Sequence, residues 1–205
     1  MVAEGIYVCY LKTEGLRRAD LVPLVSPGDL RHANQFREET RCIRSLASRA
    51  LRRWGLNSFL GESDWSISVG EYGKPTLPGR GGFNTSSTLG LVAFAYSPVG
   101  SIGIDIEAKV RCEALKMPLR ELESWTEHEA VAKGIGTGVE LALSGLKPLG
   151  RGIYQDAERN ENWRVHKLEL PDQWVGAVAV PIDHNWPVTL HETRLDELAG
   201  HQTLL

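Results

Sequence analysis

Cysteine is scarce in this chain. The 205 residues hold three, Cys9, Cys42 and Cys112. The count is odd and no two stand as C-x-x-C, which argues against a disulfide framework and a structural zinc site and fits a reducing compartment. An excess of one charge is also missing. Lys and Arg total 23 against 26 Asp and Glu, for a net charge of -3, so no global field draws the chain to nucleic acid or an anionic membrane. Long hydrophobic runs are absent. The run Ile6 to Leu11 is too short for a signal h-region or a membrane span, and Met1-Val2-Ala3-Glu4-Gly5 carries no basic n-region. A cytoplasmic protein is expected. What remains is ordinary: 42% hydrophobic and 24% charged residues, sufficient for one full domain or two small ones sharing an interface.

The order of elements suggests two lobes. Ile6 to Leu11 reads as a strand, and Asp29 to Arg53 as one or two helices with Gly55 as the stop signal. Trp65 to Val69 alternates like a strand, and glycines and prolines from Gly73 to Gly82 mark a turn region. Leu91 to Tyr96 and Ser101 to Glu107 read as strands. A second helix is predicted from about Ser124 to Gly134. Trp163 to Leu170, Trp174 to Val180 and Val188 to Thr193 close the chain as strands. Each half thus holds a helix and several strands. The expected fold is α+β: lobes 1–99 and 100–205, each a small, mostly antiparallel sheet on a long helix, with a pseudo-two-fold relation and a ligand cleft between them.

Ser101-Ile102-Gly103-Ile104-Asp105-Ile106-Glu107 alternates without a fault. The isoleucines share one face, and Gly103, Asp105 and Glu107 the other. The two carboxylates stand roughly 6.5–7 Å apart along a strand, within reach of one hard cation. The same pattern also fits the solvated face of an antiparallel strand. Glu129 and Lys133 are four apart on the second helix and share a face. They fit a surface ion pair equally well, and Thr126 to Glu129 fits a capping box.

Arg37, Arg41 and Arg44 follow helical spacing and form a stripe, while Arg49 diverges from it. Guanidinium groups bind phosphate bidentately, so the stripe is either a phosphate site or a solvated face balanced by Glu38 and Glu39. Gly73-Lys74-Pro75 projects one lysine from a turn. Phe83 to Thr88 offers short hydrogen-bonding side chains ahead of a strand. Neither segment matches a P-loop or dinucleotide fingerprint. His32, His128, His166, His184, His191 and His201 show no metal-binding spacing. No serine sits in a G-x-S-x-G elbow.

Taken in order, these segments are more informative. Arg44-x-Leu46-x-x-Arg49, Glu71-Tyr72-Gly73-Lys74-Pro75, Phe83-Asn84-Thr85-Ser86, Gly103-Ile104-Asp105-Ile106-Glu107 and Trp125-Thr126-Glu127-His128-Glu129-Ala130-x-x-Lys133 resemble the larger, pseudo-dimeric 4'-phosphopantetheinyl transferases. The resemblance implies transfer of the phosphopantetheine arm of coenzyme A to a serine of an acyl or peptidyl carrier protein, releasing adenosine 3',5'-bisphosphate. It implies Mg²⁺, with Mn²⁺ as the alternative, held by Asp105, Glu107 and Glu129. Glu129, Lys133 and Asp105 would be catalytic. Arg44, Arg49, Lys74, Pro75, Ser86, Ser87 and His128 would line the coenzyme A site. A monomer in the cytoplasm is expected, with no nucleic acid and no membrane as partner.

Three departures stand out. Ser87 occupies the place of a family histidine, and His128 that of a lysine. The interval Ala108 to Ser124 is short and lacks the phenylalanine of a segment that docks the carrier. Two alternatives follow: a protein that binds coenzyme A or a partner without modifying a carrier, or an enzyme that acts on a different small metabolite.

Overall fold

A computed structural model of the chain describes residues 5–61, 65–70, 72–138, 145–183 and 186–200. It opens with β1 (Ile6–Lys12), α1 (Arg18–Leu21), a 3-10 turn over Val22–Leu24, α2 (Pro27–Ala33) and α3 (Glu39–Leu60). A two-stranded ribbon, β2 (Ser68–Val69) and β3 (Pro75–Thr76), precedes β4 (Gly82–Thr88), β5 (Leu91–Ser97) and β6 (Gly103–Ala108). Then come α4 (Val110–Leu115), α5 (Leu119–Ile135), β7 (Leu146–Gly150), β8 (Ile153–Asp156), β9 (Glu161–Lys167), β10 (Trp174–Pro181), β11 (Val188–Glu192) and α6 (Leu195–Gly200). The fold is α+β with mostly antiparallel strands, as the sequence predicts. Among the described residues no helix is long and apolar enough to cross a membrane.

Two sheets stack between two long helices. The first runs β11-β1-β5-β4 and the second β6-β10-β9-β8-β7. Strand alternation sorts their side chains. Cys9, Leu11, Val92, Phe94 and Tyr96 join Leu46, Ala47, Ala50 and Leu51 of α3 in one core. The intervening residues Val8, Tyr10, Leu91, Ala93 and Ala95 meet Ile104, Ile106, Val178 and Val180 of the second sheet in another. A third core joins Ala177, Ala179, Trp163 and Tyr154 to Ala130, Val131 and Ala132 of α5. The isoleucine face of β6 therefore lies between the sheets, and its Asp105 face looks toward α5. Gly103 permits that approach: a Cβ there would stand 1.9 Å from the Ala130 carbonyl oxygen and 2.3 Å from the Gly134 nitrogen.

Several elements differ from the expectation. Gly55 does not stop α3. The Phe94 ring lies 2.6 Å from where its Cβ would be, so the glycine serves packing, and the helix ends at Gly61 with φ +66°. Helix α5 starts at Leu119, behind Pro118, and not near Ser124. Thr126 is thus inside the helix, where its hydroxyl donates to the Leu122 carbonyl at 2.8 Å. That removes the capping-box alternative. Gly134 is also internal, pressed by Trp163, and α5 closes at Gly136 with φ +81°. Phe83 to Thr88 lies within β4 itself. The 99/100 division is crossed at the end of the chain, where β11 pairs in parallel with β1.

Gly103→Ala should cost about 3 kcal/mol or more, because the added methyl meets helix backbone that has no room to yield. Urea denaturation measures it, and a variant as stable as the parent would refute this packing.

Candidate functional site

Strands β4 and β6 lie at the facing edges of the two sheets, yet they are not joined by a backbone ladder. Side chains join them instead. The Ile104 N–H donates to Asn84 Oδ1 at 3.4 Å, the Ile106 N–H to Ser86 Oγ at 3.3 Å, and the Ala108 N–H to Thr88 Oγ1 at 3.1 Å. The period of two on both strands keeps the three contacts in step. The hydroxyls then donate onward. Ser86 reaches Asp105 Oδ1 at 2.9 Å and Thr88 reaches Glu107 Oε2 at 3.0 Å. Each hydroxyl caps a strand edge and orients a carboxylate at once.

The oriented carboxylates line a hollow of about 300 Å³ together with Glu129 and Lys133 of α5, and Ser86 and Ser87 of β4. Lys133 Nζ contacts Asp105 Oδ1 and lies 3.3 Å from Ser86 Oγ and 3.6 Å from Glu129 Oε2. The ion pair expected on the helix surface exists, but it faces this hollow. Arg111 of α4 rests on Glu107 Oε1. Burial raises the Glu107 and Glu129 carboxyls, and the charge of Asp105 raises them further. The Asp105 side chain is 3% exposed, and its Oδ2 is buried without a hydrogen-bond partner.

As arranged, no group of three Asp, Glu, His or Cys side chains among the described residues forms a metal cage. Lys133 and Arg111 hold the carboxylates instead. The donor set nevertheless fits a hard divalent cation. It consists of oxygens, and the stranded Asp105 Oδ2 is a buried acceptor in want of a positive partner.

A second, larger hollow has a volume of about 950 Å³. Glu107 lines the small hollow and Ala108 the large one. Ser48 lines the small one, and Arg44, one turn earlier on α3, lines the large one. Arg41, Lys109 and Trp174 also border it. Arg44 is half-buried and forms no ion pair among the described residues.

The remaining predicted residues lie elsewhere. Arg49 stands about 140° around the helix from Arg44. It pairs with Asp29 at 3.2 Å and donates to the Ser45 hydroxyl at 2.8 Å, which ties α3 to α2. It lines neither hollow. His128 is next to Glu129 in sequence but about 100° away around α5. Its Nδ1 lies 2.7 Å from the Ser124 carbonyl, its ring stands edge-on to Tyr154, and it lines neither hollow. Pro75 pairs with Val69 in the small ribbon and also lines neither hollow. Lys74 donates to the Gly134 carbonyl, one residue beyond Lys133. Glu71, His184 and His201 lie outside the described residues. Sequence reasoning missed Arg111. Its signal was the spacing of four from Glu107, hidden because that spacing crosses from a strand into a helix. No family model matches the chain, and no curated protein matches its sequence.

Two measurements test this geometry. Thr88→Val strands both the Ala108 N–H and a Glu107 oxygen, so it should cost about 1–3 kcal/mol in a urea titration, with Thr88→Ser close to the parent. Equal stability of the valine variant would refute the seam. Burial pushes Lys74 from its ordinary 10.5 down to about 8. Between those values the unfolded chain holds more of that proton than the folded one. The contribution of Lys74 to stability is therefore present above pH 10.5 and lost as the pH falls through about 8. Lys74→Met should flatten the corresponding slope. An unchanged slope would contradict the burial.

Proposed function

We propose that this chain transfers a phosphopantetheine arm from coenzyme A to a serine of a carrier protein. The observation that carries the reading is the buried, partnerless Asp105 Oδ2, in a hollow shared with Glu107, Glu129 and Lys133. Asp105, Glu107 and Glu129 would hold a divalent cation. When bound, it supplies positive charge to pyrophosphate oxygens.

The residues of the chain do the rest. Arg44, half-buried beside the large hollow, receives the 3'-phosphate. Ser87 donates to the pyrophosphate, while Ser86 keeps its hydrogen on Asp105. The oxygen of the acceptor serine bonds to the phosphorus that bears the arm, and that phosphorus loses its bond to the bridging oxygen. The serine proton passes to a Glu129 oxygen. Lys133 offsets the charge on the departing adenosine 3',5'-bisphosphate. Such chemistry asks for positioning and positive charge more than covalent help. A cytoplasmic setting fits the free thiols.

A second reading, coenzyme A binding without transfer, is favoured by the connection between β6 and α5. It contains only the six-residue α4 and leaves little surface for an acceptor.

With coenzyme A and Mg²⁺, a carrier protein should gain the mass of one arm. Glu129→Gln and Asp105→Asn should slow that gain by about 100-fold or more. Binding of coenzyme A without mass gain on a broad carrier panel would establish the second reading. No binding and no gain would end both.

A further inference from the structure

Arg111 lies outside every motif that carries the resemblance. It sits on α4, its side chain is 43% exposed, and its guanidinium rests on Glu107. Its charge also acts on Glu129. The backbone below it is anchored, because the Lys109 N–H donates to the Gln173 carbonyl at 2.8 Å. Lys109 and Val110 line the large hollow, while the Arg111 side chain reaches a carboxylate of the small one. The guanidinium thus contacts a carboxylate that lines the small hollow, while the two residues before it line the large one, and its side chain is partly open to solvent.

Charge accounts for its presence. Ionised Asp105, Glu107 and Glu129 face two side-chain cations, Lys133 and Arg111. One negative charge is left over, which invites a cation. A divalent cation turns that excess into one positive charge, which invites an anion. Without Arg111 the loaded hollow would be formally neutral, and its pull on a phosphate would be weaker. A cation that coordinates Glu107 draws off part of its negative charge and so weakens its hold on Arg111. A guanidinium released from Glu107 suits phosphate oxygens, which it grips bidentately.

We propose that Arg111 is an exchangeable counter-ion: it neutralises Glu107 until a divalent cation takes that carboxylate, and then donates to a phosphate group of the ligand. The cation site is taken from the preceding reading. The hand-over to phosphate goes beyond it.

The test uses the full chain and three probes. Mn²⁺ alone is titrated and followed by the electron paramagnetic resonance of the free ion. Inorganic pyrophosphate is titrated calorimetrically with Mg²⁺ present, and coenzyme A is tested in the transfer assay. Arg111→Gln should bind Mn²⁺ severalfold more tightly and pyrophosphate about tenfold more weakly. Arg111→Lys, which keeps the charge, should lie near the parent in both. Opposite shifts, with the loss of pyrophosphate affinity confined to the Mg²⁺-loaded protein when the titration is repeated without Mg²⁺, are the signature of the exchange, since a purely structural arginine would weaken both ligands together and a fixed charge would act with or without Mg²⁺. Unchanged pyrophosphate binding, or a loss of Mn²⁺ affinity in the glutamine variant, overturns the proposal. Opposite shifts in a protein that transfers nothing from coenzyme A would uphold the exchange and overturn the transferase reading.

Discussion

Three short side chains on β4 set the distance between the two sheets, and the site depends on that distance. A direct backbone ladder between β4 and β6 would bring the strands within about 5 Å of each other. Asn84, Ser86 and Thr88 interpose one side-chain layer instead. That layer satisfies the exposed N–H groups of an edge strand, which would otherwise be open to pairing with another chain. It also holds the edges far enough apart for a small hollow to remain. Each residue suits its place because its oxygen is close to the backbone and flexible enough to meet a neighbouring N–H. A larger residue would fill the gap, and an apolar one would strand the donors.

The hollow is electrostatically unfinished. Buried carboxylates are stable when paired and fully hydrogen-bonded, and costly otherwise. Here Asp105 has Ser86 and Lys133 on one oxygen and nothing on the other. Glu107 and Glu129 are each pushed toward the protonated form by burial and by Asp105. A core selected for stability alone would tend to replace such a cluster with apolar side chains. Keeping three acids around a void is better explained by a ligand that completes them.

Much of the architecture was readable because it is local. The alternation of Ile102, Ile104 and Ile106 against Asp105 and Glu107 predicted the two faces of β6, and both are buried as one strand between two layers requires. The spacing of Glu129 and Lys133 predicted a shared helix face. What escaped was decided by distant partners. Gly55 and Gly134 resemble helix stops, but rings from Phe94 and Trp163 occupy the space where side chains would be. Arg49 and His128 are near site residues in sequence, but the turn of the helix carries them to other surfaces. The parallel addition of β11 to β1 has no signal in either segment.

The two hollows differ in a way that bears on ligand shape. The small one is lined by acids already partnered by Lys133 and Arg111. The large one is bordered by Arg44 and Lys109, which form no ion pairs among the described residues, and by Arg41, which Glu38 engages at 3.0 Å. Ser48 and Arg44 lie a helical turn apart on α3, about 6 Å along the axis. A single phosphate can satisfy one hollow or the other. If the acids hold a cation as proposed, a ligand with two separated anionic groups would satisfy both, one at that cation and one at a guanidinium of the helix. Coenzyme A carries its pyrophosphate and its 3'-phosphate on one nucleotide. Under the proposed function, that spacing of charge, more than the volume of either hollow, is what would select it over ligands with a single phosphate.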